Sequence, residues 1–236
     1  MPRVVCEWGL AAIESWRARA AAFVIVDVLS FSTAVSVAID RGAEIIPFPL
    51  ADRATAAAEA HRRGAILASP RRAGGGQPSL SPASLRRLQS GARLLLPSPN
   101  GSRLSLATGA TPTFAGSLRN AESVARAARN AAADGLIVVV AAGERWPDDT
   151  LRPAIEDWLG AGAIIKALGG SASAEAELAR LAFDAAGPDL AAMIRDSLSG
   201  RELAERGFRT DVEIALEIGR SESAPRLVDG VYRNAA

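Results

Sequence analysis

Single Cys, His and Lys residues limit the chemistry that this chain can perform. Among its 236 residues they are Cys6, His61 and Lys166. A structural zinc site needs about four Cys or His ligands, so the sequence excludes one. A P-loop needs Gly-Lys-Ser/Thr, whereas Lys166 lies in "IIKALGG". His61 lies in the Ala-rich stretch "AAAEAHRRGA", which is typical of a solvated helix rather than of a catalytic triad.

The chain also lacks a strong net charge and a long apolar run, which excludes nucleic acid and membranes as expected partners. The net charge is only +1, so the chain has no excess of positive charge for nucleic acid or an anionic membrane. The longest apolar stretch, "AAAFVIVDVL", is too short to span a bilayer and contains Asp27. The first 20 residues carry charges throughout and do not resemble a targeting signal. One Cys cannot form an internal disulfide, which fits a reducing cytoplasm, so we expect a cytoplasmic protein. The charge and the short apolar stretch predict no nucleic-acid and no membrane partner.

The residues that remain available for chemistry are carboxylates, hydroxyls, arginines and backbone amides. Oxygen atoms from such groups are the ligands that hard divalent ions prefer. If the protein is an enzyme, Mg²⁺ is therefore the cofactor that suits this composition.

Apolar runs of strand length alternate with longer Ala-rich stretches of helical period. This alternation predicts an α/β fold with three layers, α/β/α, a mostly parallel (mixed) sheet and a helix-rich C-terminal third. The length and the 49% apolar content are expected to form one domain over residues 1–236. Strands are predicted near 3–8, 23–29, 44–48, 65–68, 93–97, 112–115, 135–141 and 227–232. Helices are predicted near 32–41, 51–63, 82–90, 101–107, 119–133, 151–168, 173–186, 188–198 and 201–217, the last with a break at Gly207.

Polar residues collect where several predicted strands end. Asp27 follows the apolar strand in "VIVDVLSFST", and "SPNGSR", "GSLRN" and "AGERWPDD" follow three other strands. Ligands of open α/β sheets bind at the carboxyl ends of the strands, so we expect these loops at one edge. Their glycines and helix N-termini suit an anion. A simple turn or helix cap is the alternative interpretation of each loop taken alone.

Acidic residues form a second set of candidates. Glu156 and Asp157 lie in the first half of a helix that is otherwise apolar. Because adjacent helical residues point about 100° apart, at least one of them should face the interior or a cleft. Asp211 lies in "GFRTDVEIAL", where it also fits a helix N-cap. A buried unpaired charge is costly, so Asp27 should have a partner, and a plain ion pair or helix cap is the structural alternative.

Six segments complete the pattern: "VIVDVLSFSTAVSVAIDRGAEIIP", "SPNGSRLS", "AGSLRNAESVA", "VVVAAGERWPDDTLRPAIEDWLGAGAII", "SGRELAERGFRTDVEIAL" and "PRLVDGVY". In these segments and their order the chain resembles the 2-phosphosulfolactate phosphatase family, Mg²⁺-dependent phosphatases associated with coenzyme M biosynthesis. The resemblance implies hydrolysis of a phosphate ester on a small sulfonated hydroxy acid, which gives sulfolactate and phosphate.

The resemblance also implies which residues form the site. Asp27 matches the family's Asp at the end of its second strand, and Glu156 with Asp157 matches its Glu-Asp pair. With Asp211 these are the candidate catalytic residues, and Asp27, Glu156 and Asp157 are the candidate Mg²⁺ ligands. The candidate substrate-binding residues are Ser30, Ser32, Thr33, Asn100, Gly101, Ser102, Arg103, Gly143 and Arg201.

Three departures from the family pattern bear on the substrate. Ser30 stands where the family typically has Arg, Ala141 where members often have Cys, and loop 68–84 where the family has a Gly-Glu-Arg segment. Loss of an Arg beside a multiply charged substrate should cost about 1.5–3 kcal/mol unless another Arg replaces it. The arginines that could replace it in space are Arg71, Arg72 and Arg103.

Metal-assisted phosphoryl transfer from a small anionic phosphorylated substrate is the resulting hypothesis. Asp27 and one or more of the other acids hold Mg²⁺, while the Asn-Gly loop and Gly143 offer backbone donors to the phosphate. Attack by Asp27 itself, rather than by water, is an open alternative. Two alternative functions are also open. One is a phosphatase of the same fold that acts on a different small phosphate ester, and the other is a non-catalytic anion-binding homologue. Assembly into a homo-oligomer is also left open.

Overall fold

Strands and helices alternate along residues 4–49, 52–71 and 76–235, the part of the chain that the computed structural model describes. Arg72, residue 3 of the first predicted strand and residue 51 of the second predicted helix lie outside it. The strands are β1 (Val4–Trp8), β2 (Ala20–Val26), β3 (Glu44–Pro49), β4 (Ile66–Leu67), β5 (Arg93–Ser98), β6 (Thr113–Gly116), β7 (Leu136–Ala141), β8 (Glu144–Arg145), β9 (Leu151–Arg152), β10 (Pro225–Val228) and β11 (Val231–Asn234). The helices are α1 (Gly9–Trp16), α2 (Phe31–Asp40), α3 (Arg53–Arg62), α4 (Pro82–Leu85), α5 (Gly101–Ala107), α6 (Ala121–Ala132), α7 (Ile155–Leu168), α8 (Ala174–Ala186), α9 (Leu190–Asp196), α10 (Leu198–Glu205) and α11 (Arg209–Ala215), with a 3₁₀ turn at Gly187–Asp189.

One mixed sheet has the strand order β1-β7-β2-β6-β10-β11-β3-β5-β4. Strands β1, β7, β2 and β6 form one parallel group, and β3, β5 and β4 form another. The hairpin β10–β11 lies between the groups and pairs antiparallel with β6 and β3. The predicted mixed, mostly parallel sheet is confirmed.

The last predicted strand, 227–232, is wrong because two strands form there. Asp229 and Gly230 connect them with φ angles of 51° and 70°. Asp-Gly is a preferred sequence for a two-residue hairpin turn that requires positive φ at both positions. The sequence therefore contained the signal for this hairpin.

Helices cover both faces of the sheet and complete three layers, as predicted. In β2, Phe23 and Ile25 pack in a core with residues of α1 and α5. Val24 and Val26 point to the other face and pack in the larger core with residues of α6, α7 and α8. In the second group, α2 and α4 cover one face and α3 the other. Alternate residues of these buried strands thus serve two separate cores, as expected for a sheet covered on both faces.

Several element boundaries differ from the prediction. Helix α1 was not expected; it begins directly after β1 because Gly9 adopts a φ of 62°, which glycine tolerates. The predicted helix 151–168 begins only at Ile155, because Leu151–Arg152 pairs with β8. The predicted helix 82–90 ends at Leu85. The expected break at Gly207 is confirmed, since this residue has a φ of 86° between α10 and α11.

The two parallel groups run in opposite senses when traced through the hairpin. This contradicts the simple expectation that all strand carboxyl ends lie at one edge. The amide of Gly101, at the start of α5, donates to the carboxylate of Asp27, directly after β2, over 2.9 Å. The ends of β2 and β5 therefore do converge, although they belong to different groups.

The helices give no sign of a membrane span: within the described ranges, none is both long and apolar enough to cross a bilayer.

Close packing of α7 on α8 depends on Gly162. A Cβ atom on this residue would lie 2.1 Å from the carbonyl oxygen of Ala179 and 2.8 Å from Cβ of Phe183. We expect Gly162→Ala to lower the free energy of unfolding by about 3 kcal/mol, because the helices would have to separate. Urea unfolding followed by circular dichroism measures this change.

The matched control is Gly109→Ala. Gly109 has a φ of 68°, but a Cβ atom on this residue would meet no other atom within 4 Å, so only backbone strain of about 1 kcal/mol is expected. Equal losses in the two variants would contradict the packing explanation.

Candidate active site

Asp27 lies at the convergence of two loops. The residue directly follows β2, is 6% exposed, and its carboxylate accepts the amides of Phe31 over 3.1 Å and Gly101 over 2.9 Å. The side chain therefore fixes the start of α2 and the start of α5 around one carboxylate. Its direct partners are backbone donors at two helix starts, so of the two structural alternatives the helix cap is present and, among the described residues, the direct ion pair is not.

Asp157 connects two further loops to the same place. Its oxygens accept the amide of Val28 over 2.7 Å and the amide of Gly143 over 2.8 Å. Gly143 has a φ of 68°, and a Cβ atom there would lie 2.6 Å from Leu151 and 2.9 Å from the carbonyl oxygen of Arg152. Only glycine therefore allows this turn to approach Asp157.

Glu156, next to Asp157 in the first turn of α7, is also buried. Its Oε2 atom has no hydrogen-bond partner within the described part of the chain. A buried carboxylate oxygen without a donor is costly, and such atoms call for an explanation such as a bound ion.

Glu144 belongs to the site although the sequence analysis did not single it out. Its Oε2 atom accepts the Nδ2 group of Asn100 over 2.9 Å. Both residues line a cavity of about 190 Å³, together with Arg103. The signal in the sequence was the polar loop "AGERWPDD", which was recognised as a whole but not resolved to this residue.

Arg71 brings a positive charge to the site from loop 68–84. Its Nη2 group donates to Oγ of Ser30 over 2.7 Å and lies 3.6 Å from Oδ2 of Asp211. Asp211 is itself held by Oγ of Ser81 over 2.6 Å and the amide of Ala83 over 3.1 Å. A guanidinium from a distant segment thus lies beside Ser30, where the family resemblance had led us to expect an Arg.

Other predicted substrate ligands have local hydrogen bonds. The hydroxyls of Ser32, Thr33 and Ser102 donate to the backbone carbonyls of Ile25, Val28 and Leu96 at 2.8–2.9 Å.

Arg201 does not join the cluster: it is exposed and donates to the carbonyl of Asp196. The arginine of the loop "GSLRN", Arg119, also has other partners, because it forms ion pairs with Asp40 and Glu217. A direct role of these residues toward a substrate stays a prediction.

The buried acids influence one another electrostatically. Burial is the main cause that raises the pKa of Asp27 to about 6; the charge of Glu156 adds to it, while the Phe31 and Gly101 amides and Arg71 oppose it. Burial and then the charge of Asp27 raise the pKa of Glu144 to about 7. Burial, followed by the charges of Asp27 and Glu156, raises the pKa of Asp157 well above its usual range. Four carboxyl groups therefore share one poorly solvated region.

Comparison with known proteins shows which family the chain belongs to. A sequence model of the family described as 2-phosphosulpholactate phosphatase matches residues 12–230. A protein named 2-phosphosulfolactate phosphatase, from Methanothermobacter thermautotrophicus, is 33% identical over 213 residues, which cover 88% of this chain and 87% of that protein. The chain belongs to the 2-phosphosulfolactate phosphatase family.

In this member of the 2-phosphosulfolactate phosphatase family, the four acids Asp27, Glu144, Glu156 and Asp157 lie, with Arg71, within the matched range. Across residues 4–49, 52–71 and 76–235, no three His, Cys, Asp or Glu side chains are grouped to hold a metal by themselves. The predicted triad of Asp27, Glu156 and Asp157 is therefore not a closed metal cage. Asp27 and Asp157 each use both oxygens to hold backbone amides, whereas Oε2 of Glu156 has no donor among the described residues.

Stability of the metal-free protein should fall between pH 5 and pH 8. The pKa of Glu144 rises from 4.5 to about 7 on folding, so the folded state binds more protons in this window. Glu144 therefore contributes on the order of 3 kcal/mol to the free energy of unfolding. This contribution is fully present below about pH 4.5 and is lost as the pH rises through 7. Urea unfolding in EDTA at pH 5 and pH 8 measures the fall.

Glu144→Gln should make the fall smaller by this amount, whereas the exposed control Glu14→Gln should leave it unchanged. An identical pH dependence in Glu144→Gln and the unchanged protein would show that Glu144 does not titrate in this window.

Proposed function

We propose that this chain is a phosphoric monoester hydrolase that converts 2-phosphosulfolactate to sulfolactate and phosphate. The observation that carries the proposal is the cluster of the buried acids Asp27 and Glu156 with the partly buried Glu144, in a chain whose family match spans this whole region. Arg71 supplies a positive charge for the phosphate at the same place.

Mg²⁺ is the proposed cofactor, held by Asp27 and Glu156. Mg²⁺ commonly binds one or two carboxylates and fills its other positions with water and substrate phosphate, so a cage of three acids is not required. The unpartnered Oε2 of Glu156 and the raised pKa of Asp27 suit a nearby cation. When bound, the ion polarises the phosphate and offsets its charge. Asp157 is proposed to act as a positioning residue that holds the loops containing Val28 and Gly143.

Each side chain then has a defined part in hydrolysis. Arg71 binds the phosphate, and Asn100 orients Glu144 through its 2.9 Å hydrogen bond. A water oxygen attacks phosphorus, the bond from phosphorus to the ester oxygen breaks, and the leaving oxygen takes a proton. A pKa of about 7 allows Glu144 to hold that proton at neutral pH and then recover one from the water.

The proposed partner is a small anionic phosphorylated substrate rather than nucleic acid or a membrane. The net charge of +1 favours neither nucleic acid nor an anionic membrane as a partner. We propose a cytoplasmic location.

A phosphate-release assay tests the function. Purified protein with Mg²⁺ should release phosphate from 2-phosphosulfolactate with a higher kcat/KM than from phospholactate, phosphoglycolate or a chromogenic phosphate ester. EDTA should abolish release and added Mg²⁺ should restore it. A clear preference for another ester would overturn the substrate, and phosphate binding without turnover of any ester would indicate a non-catalytic homologue.

Isotope labelling of the phosphoryl group separates the two nucleophiles. With a substrate whose phosphorus is made chiral by oxygen isotopes, direct attack by water inverts the configuration at phosphorus. Attack by Asp27 would release the ester alcohol and form an aspartyl phosphate, and attack of water on the same phosphorus would then invert it a second time, so the phosphate would show overall retention.

A further inference from the structure

Arg152 is a second buried guanidinium beside the acid cluster. Its side chain is 7% exposed and lines a cavity of about 180 Å³ with Glu156, Trp146 and Ser199. The charge of Arg152 also acts on Glu144, which places it near both ends of the acid cluster. Arg71 lines a different cavity, so the two arginines reach the cluster separately.

The residues around Arg152 accept hydrogen bonds from only part of its guanidinium group. Only its Nη2 group makes hydrogen bonds to the described residues, over 3.3 Å to Oγ of Ser199 and 3.3 Å to Oε2 of Glu202. Both distances exceed the usual range for a charge-assisted bond. Glu202 is 38% exposed, so solvent screens its charge. A buried guanidinium with such weak partners retains donors for an anion.

We propose that Arg152 and Ser199 form a subsite for a second anionic group of the substrate, a sulfonate or carboxylate carried on the carbon chain next to the phosphate ester. This inference rests on the proposed function and refines it. Glu156 belongs to the same cavity as Arg152, so a phosphate near the acid cluster and a second anion at Arg152 would lie in neighbouring positions. Arg is well suited to this task because its planar fork pairs with oxyanions through two donors.

The proposal extends to the substrate class. A site with one arginine for the phosphate and another for a separate anion selects short phosphorylated acids with at least two negatively charged groups. An ester with an uncharged leaving group would fill only the Arg71 side. Arg152 is therefore a specificity-determining residue, and its loss should affect substrates unequally.

The test compares Arg152→Ala and Arg152→Lys on 2-phosphosulfolactate and on 4-nitrophenyl phosphate. We expect Arg152→Ala to lower kcat/KM for 2-phosphosulfolactate about 10- to 100-fold, mainly through KM, with less than about a threefold change for 4-nitrophenyl phosphate. Arg152→Lys should recover part of the loss. Arg17→Ala, an exposed site, is the control. Equal losses on both substrates would indicate a structural role and overturn the proposal.

A binding measurement separates this proposal from the phosphatase activity. Sulfolactate should raise the melting temperature of the unchanged protein but not of Arg152→Ala, while inorganic phosphate should stabilise both. If no ester is hydrolysed and this difference persists, the phosphatase activity fails and the anion subsite stands. If sulfolactate stabilises both proteins equally, the subsite is wrong whatever the activity.

Discussion

Asp27→Asn is expected to lower kcat/KM at least about 1,000-fold. The substitution keeps the volume of the side chain but removes its negative charge, which we assign to Mg²⁺ binding or to attack on phosphorus. An amide also has only one oxygen, so it can no longer accept both the Phe31 and the Gly101 amides that the carboxylate accepts. Losses of 100- to 1,000-fold are about what single stabilising groups contribute in other enzymes, and here two functions are removed together. Phosphate release at saturating Mg²⁺ measures the effect.

The matched control for Asp27→Asn is Asp52→Asn. Asp52 also accepts a backbone amide, that of Thr55 over 3.0 Å, but it is exposed at the start of α3. Asn serves as a helix cap as well as Asp does, so this variant should be fully active. Circular dichroism should give native spectra for both. An Asp27→Asn protein with more than a tenth of the normal activity would remove Asp27 from the chemistry.

Glu156→Gln should combine a large loss of activity with a gain in stability. With the charge gone, we expect at least a 100-fold lower rate at low Mg²⁺ and a higher Mg²⁺ concentration for half-maximal activity. The metal-free protein should become more stable by about 1 kcal/mol or more at pH 8, because the substitution removes a negative charge from a buried site where it acts on Asp27 and Asp157. A magnesium titration and urea unfolding in EDTA measure the two effects.

Glu175→Gln provides the comparison, because Glu175 lies in the first turn of α8 as Glu156 does in α7, but is exposed. Both substitutions lose a favourable charge at a helix N-terminus, worth about 0.3–1 kcal/mol. Only Glu156→Gln should change the magnesium requirement. If Glu156→Gln destabilises the metal-free protein and leaves the magnesium titration unchanged, Glu156 serves the fold rather than the ion.

The sequence could predict Asp27, Glu156 and Asp157 because each combines an unusual position with a recognisable segment. A carboxylate at the end of an apolar strand, or in the buried half of a helix, has to be explained by its surroundings. The structure brings all three acids together. The hydrogen bonds of Asp27 and Asp157 to backbone amides, which join residues as far apart as 28 and 157, could not be read from the spacing of the sequence.

Glu144 and Arg152 could not be found in the same way, and Arg71 was only one of three arginines that the sequence offered as replacements for the family's Arg. Arginines make up nearly all of the 27 basic residues, so a single Arg in a loop is not distinctive. Their importance arises from burial, which depends on which distant segments cover them. The contact between Arg71 and Ser30, for example, joins residues 41 positions apart. Local patterns carry no information on such long-range contacts.

The hairpin β10–β11 has a consequence for biosynthesis. It joins the two halves of the sheet, yet residues 225–234 follow all the other described strands of that sheet in the sequence and therefore leave the ribosome after them. Each half can begin to form during translation, but their mutual arrangement, and with it the meeting of Asp27 and Gly101, has to wait for the synthesis of this hairpin. A nascent chain stalled before residue 225 should therefore already have most of its secondary structure while still lacking a catalytic centre.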